Sequence, residues 1–152
     1  MCNYNLRHAN LDDVDEIYEI EEESFDSPWS RKTINDEIET NVFGDYLVVE
    51  EDGKIIGYFG MWLIMDEAHI TNIAVRKSHR GKGIGSLLME YGISYAEEKQ
   101  LFGMTLEVRT TNAEAIGLYE KYGFQIEGIR PKYYQDTNED AYIMWKYFRG
   151  EE

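Results

Sequence analysis

One cysteine, two prolines and three histidines in 152 residues leave this chain few devices for holding itself together or for doing chemistry. Cys2 alone cannot close an intrachain disulfide, so the fold must rest on a packed core, and a reducing compartment is expected. Its place at the chain end is also poor for a nucleophile. Pro28 and Pro131 are too few for a linker, and no repeat or low-complexity stretch interrupts the chain. A single domain over residues 1–152 is therefore expected, and a hydrophobic content of 43% is enough for a real core. No apolar run is long enough to span a membrane, and Met1-Cys2-Asn3-Tyr4 opens no signal peptide. A cytoplasmic protein without a membrane partner is the expectation. Positive charge is scarce as well: 15 Lys and Arg stand against 30 Asp and Glu, a net charge of −15. That balance excludes a general nucleic-acid binder, which needs a basic face, while it favours basic peptides through steering. His8, His69 and His79 show no metal-ligand spacing, so no metal is expected.

Against this acidic background the stretch Arg76-Lys77-Ser78-His79-Arg80-Gly81-Lys82-Gly83-Ile84-Gly85-Ser86 stands out. Arg76, Lys77, Arg80 and Lys82 crowd one turn, glycines alternate through it, and a helical pattern begins at once. Glycine lets backbone N–H groups converge on a ligand, and a helix start adds partial positive charge, so the segment suits a phosphorylated ligand such as a pyrophosphate. A P-loop would need Ser or Thr after the lysine, and Gly83 follows Lys82. A dinucleotide fingerprint would need a third glycine where Ser86 stands. A basic glycine turn that binds nothing is the plain alternative.

The rest of the chain alternates strand and helix patterns. Tyr4 to His8 reads as a strand, and Asn10 as the cap of a helix whose buried stripe is Leu11, Val14, Ile17 and Tyr18. Ser30 caps a second helix carrying Ile34 and Ile38. Strands follow at Asp45–Glu51, Lys54–Ile64 and His69–Val75. The helix after the cradle shows Ile84, Leu87, Leu88, Tyr91 and Tyr95 at helical spacing. Met104–Arg109 alternates as a strand, and Thr111 with Glu114 forms a capping box for a helix ending at Gly123. Phe124–Ile129 and Ala141–Tyr147 close the chain as strands joined by a long tyrosine-bearing connection. The fold class is α/β (α+β), a mixed sheet with helices on both faces.

Within Leu106-Glu107-Val108-Arg109 and the helix after it, three groups can converge. Asn112 and Tyr119 are seven apart, two helical turns on one face. Glu107 alternates with Leu106 and Val108 and so leaves the strand on the other face. From spacing alone a solvated carboxylate, a helix-start amide and a core tyrosine serve equally well.

Several separate motifs resemble one superfamily. Arg80, Gly83 and Gly85 occupy the defining positions of the Arg/Gln-x-x-Gly-x-Gly/Ala loop that binds the acetyl-CoA pyrophosphate in the GNAT N-acetyltransferases. Leu-Glu-Val-Arg, Asn112, Ala-x-x-Leu-Tyr-Glu and Gly-Phe are similar to the RimI-type and archaeal protein N-alpha-acetyltransferases. So are Asn72-Ile73-Ala74-Val75, the loop Ser24-Phe25…Pro28-Trp29-Ser30 and the tail from Tyr133-Tyr134 to Met144. The resemblance spans nearly the whole chain. It implies the GNAT fold, with about seven mostly antiparallel strands and about four helices. It implies acetyl-CoA as cosubstrate, held by Ile73, Ala74 and Val75, by Arg80, Gly81, Lys82, Gly83, Ile84, Gly85 and Ser86, and by Asn112. Glu107 would be the general base and Tyr119 the acid, with an oxyanion-stabilising strand bulge near Val75. Phe25, Pro28, Trp29, Tyr133 and Tyr134 would line a groove for protein or peptide N-termini, ribosomal proteins among them.

His69 stays open between a structural strand histidine and a second base, as in some archaeal relatives. Three functions compete: transfer of acetyl to protein α-amines; transfer to small amines or lysine on the same fold; and a non-catalytic acyl-CoA-binding subunit. Bulky residues at the groove mouth favour the first, and retention of both Glu107 and Tyr119 weighs against the last.

Overall fold

In a computed structural model that describes residues 4–148, these patterns fold into one mixed sheet flanked by helices. The elements, in chain order, are β1 (Tyr4–His8), α1 (Val14–Ser24), α2 (Arg31–Glu39), β2 (Gly44–Glu51), β3 (Lys54–Ile64) and β4 (Glu67–Val75). They continue with α3 (Ile84–Glu98), β5 (Gly103–Arg109), α4 (Ala113–Lys121), β6 (Gln125–Tyr134) and β7 (Glu139–Tyr147). Seven strands run in the order β1-β2-β3-β4-β5-β7-β6. Every neighbouring pair is antiparallel except β4 and β5. Cys2 lies outside the described residues.

The centre of the sheet is buried on both faces, so β2 and β3 read as nearly unbroken apolar runs rather than as clean alternations. Successive β2 residues still divide between two cores. Leu47 and Val49 join the cluster packed by α3 and α4, while Val48 joins Val14, Ile17, Ile20 and Ile34 from α1 and α2. Helices therefore cover both faces. At α3 the deepest positions are Ile84, Leu88, Met89, Gly92, Ile93 and Ala96. Leu87, Tyr91 and Tyr95 are only partly buried, and Gly92 lets the Phe59 ring pack closely on the helix where a Cβ would collide.

Several local expectations are corrected. Asn10 caps a short 3-10 turn, Leu11–Asp13, rather than α1 itself, and Leu11 is left exposed. Asp13 completes that cap and is clamped by both guanidinium nitrogens of Arg7, at 2.8 and 2.9 Å. The α4 cap is Asn112, whose Oδ1 accepts from Ala115 N, while Thr111 donates to Glu139 instead. β6 runs through Tyr134, so the expected long connection to β7 is a short turn.

The middle of the sheet owes its shape to two irregularities in β4. Its pairing with β5 covers only Glu67–His69 against Gly103–Thr105, although both strands run on to Val75 and Arg109. Beyond His69 the strands part, and a gap opens in the sheet. The register with β3 also jumps from Gly60↔Asn72 to Met61↔Ile70, which makes Thr71 a bulge residue. The bulge thus sits at Thr71, not near Val75.

Candidate active site

The basic glycine turn lies past the open end of β4, where a 3-10 turn at Lys77–His79 leads to α3. Gly81 and Gly83 adopt φ values of +78° and +81°, a left-handed conformation that disfavours any other residue. A Cβ placed on either would meet no atom within 4 Å, so the loop leaves open space above its backbone. Gly83 caps α3 with no side-chain acceptor, so the first N–H groups of the helix point outward unclaimed by a cap. Together with exposed Lys82, this is an open, positively polarised helix start that fits a pyrophosphate.

Arg80, at the start of this turn, is held from two sides. Its Nε donates to Val75 O at 3.0 Å and its Nη2 to Ser24 Oγ at 3.0 Å, so it braces the loop against β4 and α1. Lys77 N–H likewise donates to Glu23 Oε1 at 2.9 Å. Val75 O is therefore already engaged, while Ile73 and Ala74 lie on the stretch of β4 that β5 has left.

At the point of divergence the structure brings His69 and Glu107 together. The Nε2 of His69 lies 2.7 Å from Glu107 Oε1, two residues past the last β4–β5 pair on the β5 side. Arg130 approaches the other carboxylate oxygen at 3.4 Å. Burial works to raise the Glu107 carboxyl, but its bond to His69, the His69 charge and Arg130 outweigh that effect. The net result holds it below the ordinary carboxylate value. Nothing in the spacing of the sequence had singled out Arg130.

Tyr119 lies in the core cluster of α3 and α4, beside Phe124, with Leu106 and Val108, on the sheet face opposite the one Glu107 leaves. Burial, reinforced by Tyr134, pushes its phenol well up, so it keeps its proton at neutral pH. The Tyr134 phenol is pushed up to about 12, chiefly by burial, with Tyr133 and Glu107 adding to it and Arg109 opposing. Arg109 packs 4.0 Å from the Tyr134 ring centre. Tyr133 and Tyr134 meet edge to face, 5.1 Å between centres. Asn112 stands outside α4 with its Oδ1 spent on the cap, which leaves only its Nδ2 for a ligand.

On the α1/α2 face, Phe25 is exposed while Pro28 and Trp29 are partly buried. Trp29 packs on the second core and edge-on to Tyr46, so it anchors its loop as well as lining it. Under this loop lies Glu21, 1% exposed, which accepts from Trp29 N–H at 2.7 Å, from Asn72 Nδ2 at 3.0 Å and from the Tyr58 hydroxyl. Burial raises its carboxyl, opposed by the Trp29 and Asn72 donors. The sequence carried a signal for Glu21: it falls four residues after Ile17 and seven after Val14, on the buried stripe of α1.

Residues 14–124 match the Acetyltransferase (GNAT) family. A Bacillus subtilis protein, provisionally named a ribosomal protein bS18-alanine N-acetyltransferase, is 45% identical over 140 residues, across 92% of this chain and 93% of its own. The crystal structure of the ribosomal-protein-S18-alanine N-acetyltransferase from Escherichia coli superposes with a TM-score of 0.90 at 31% identity. That similarity covers 99% of this chain and 97% of the other. The structure of Ard1 from Thermoplasma volcanium gives a TM-score of 0.87 at 32% identity, over 97% and 99% of the two chains. No helix among the described residues is long and apolar enough to cross a membrane.

Proposed function

Because the chain belongs to the acetyltransferase (GNAT) family and uses acetyl-CoA, we propose that it acetylates the N-terminal α-amine of proteins, ribosomal proteins among them, as one cytoplasmic domain over residues 1–152. The observation that carries this reading is the His69–Glu107 pair, seated where β4 and β5 part and leading to the glycine cradle.

Bound acetyl-CoA supplies an activated acetyl thioester. The cradle from Arg80 to Ser86 holds its pyrophosphate through the N–H groups of the α3 start, with Lys82 adding charge and Arg80 bracing the loop. Ile73, Ala74 and Val75, on the free edge of β4, and Asn112 Nδ2 orient the rest of the cofactor. Phe25, Pro28 and Trp29 on one side, with Tyr133 and Tyr134 on the other, line the acceptor entrance.

An α-amine with a pKa near 7.8 is only about one-seventh neutral at pH 7, so removing its proton is a modest cost. Glu107, ionised and joined to His69, takes that proton from the amine nitrogen, directly or through water. Tyr119, protonated by virtue of its burial, supplies one from its Oη to the departing sulfur. A lysine amine near 10.4 would cost roughly 3.5 kcal/mol more to deprotonate at pH 7, which favours the chain end as acceptor.

The test uses one alanine-initiated peptide with internal lysines, in free and N-blocked forms. Mass spectrometry is expected to find acetyl on the free α-amine and almost none on the blocked peptide. Equal labelling of the blocked form would overturn the α-amine reading in favour of lysine.

A further inference from the structure

Glu21 is the most deeply buried carboxylate among the described residues, and the acetyl-transfer chemistry does not use it. Removing a carboxylate from water is costly unless every oxygen is hydrogen-bonded, and well-packed apolar residues commonly fill such positions at least as well. All the donors to Glu21 are neutral, and they come from three separate segments. Trp29 N–H belongs to the loop after α1, the Tyr58 hydroxyl to the middle of β3, and Asn72 Nδ2 to β4 immediately after the bulge.

The Asn72 anchor lies close to the catalytic pair in the register of the sheet. Counting from the last pair, His69 with Thr105, two further residues on β5 reach Glu107. On β4 the same advance, with Thr71 absorbed by the bulge, reaches Asn72. Asn72 therefore stands level with Glu107 across the gap. Phe25 N–H closes the last turn of α1 on the Glu21 main-chain carbonyl at 3.0 Å, so the loop begins directly from this turn. The Glu21 carboxylate then fastens Trp29 at the far end and ties it to the strand facing the base.

We propose that Glu21 is a positioning residue for the acceptor: its carboxylate locks the Phe25–Ser30 loop onto the β4 bulge and so fixes the entrance opposite Glu107. The inference rests on the reading that this loop lines the acceptor entrance.

Glu21→Ala frees the Trp29, Tyr58 and Asn72 anchors, whereas Glu21→Gln keeps a carbonyl for Trp29 N–H, and its new NH2 group can donate to the Tyr58 hydroxyl and to Asn72 once that amide turns. In Glu21→Ala the peptide KM is expected to rise about tenfold or more, with kcat changed less than about threefold. Acetyl-CoA affinity by calorimetry is expected to hold within about twofold, and Glu21→Gln to recover most of the peptide KM. A general loss of structure would not produce this split. The inference fails if folded Glu21→Ala binds peptide as wild type does, if acetyl-CoA affinity falls in parallel, or if Gln gives no recovery. Should Glu21→Ala not fold, Asn72→Ala, which cuts only the β4 anchor, carries the same test. Wild-type turnover of the free peptide is the control. Its absence overturns this inference together with the proposed function, whereas turnover with an unchanged Ala variant overturns this inference alone.

Discussion

At Glu107 two pressures act in opposite directions, and the outcome sets the pH behaviour of the site. Burial favours the neutral acid, while His69 at 2.7 Å and Arg130 at 3.4 Å favour the carboxylate and prevail. A carboxyl whose folded pKa is depressed contributes stability above its unfolded value, and that contribution is lost as pH falls through the folded value. Glu107 is therefore ionised throughout the neutral range, and a limb of the pH–rate profile near neutrality belongs to the acceptor amine. Glu107→Gln is expected to lower kcat about 10²-fold while leaving that limb in place. Its urea stability is expected to vary less than that of the wild type as pH falls below the ordinary carboxylate value. Since His69 and Glu107 are hydrogen-bonded, they should act as one unit. The double variant Glu107→Gln/His69→Ala is expected within about threefold of Glu107→Gln alone in kcat. Strictly multiplicative losses would separate the two residues. For Glu107 and Tyr119, alternation and helical spacing gave the face each side chain leaves, while their roles came only from the family resemblance. Arg130 was not legible in the sequence, since its approach to Glu107 depends on how β6 and β7 stack beyond β5, which no local pattern encodes.

Elements were legible where a local signal agrees with tertiary packing, and misread where packing chose between two local signals. Ser30 caps α2 as its hydroxyl suggests, through Thr33 N–H. At α4, Thr111 and Asn112 both qualify as caps, and Glu139 takes the threonine hydroxyl, which leaves the cap to the asparagine. The gap between β4 and β5 has no sequence signature at all, because both strands keep their alternation after they stop pairing. The cradle, by contrast, was plain from its glycines, and the backbone explains why. Gly83 holds φ +81° with open space where a side chain would stand, so a substitution suffers conformational strain rather than collision. Gly83→Ala is expected to weaken acetyl-CoA binding about tenfold, since a left-handed alanine costs roughly 1–2 kcal/mol and the relaxed loop would misdirect its N–H groups. Gly117, which lies in α4 with equally open space and no positive φ, is the control: Gly117→Ala should leave affinity unchanged. Calorimetry on the two variants separates a conformational requirement from mere loss of glycine. Equal affinities for both would mean that the cradle does not grip the cofactor through its backbone.

Across the whole molecule, the net charge of −15 is unevenly spread. Glu16, Glu22 and Glu23 on α1, with Glu37 and Glu39 on α2, flank the loop after α1, while Lys77, Arg80 and Lys82 gather around the glycine turn; Asp15 and Glu19 are paired with Arg31 and with buried Arg76. Under the proposed function the positive turn meets the anionic cosubstrate and the field of the acidic helices faces the acceptor. Charges beyond the first few residues of a peptide would touch nothing specific, yet would feel that field over the Debye length, roughly 10 Å at 0.1 M salt. Its influence should appear in capture rather than in chemistry. Two peptides sharing the same first four residues, followed by lysines in one and glutamates in the other, isolate the effect. At about 20 mM salt the basic peptide is expected to show at least about tenfold higher kcat/KM, with kcat nearly equal, and the ratio should shrink severalfold at about 0.5 M. A ratio that does not respond to salt would place the preference in direct contacts at the entrance. A ratio near one at low salt would mean that the acidic face of α1 and α2 takes no part in acceptor capture.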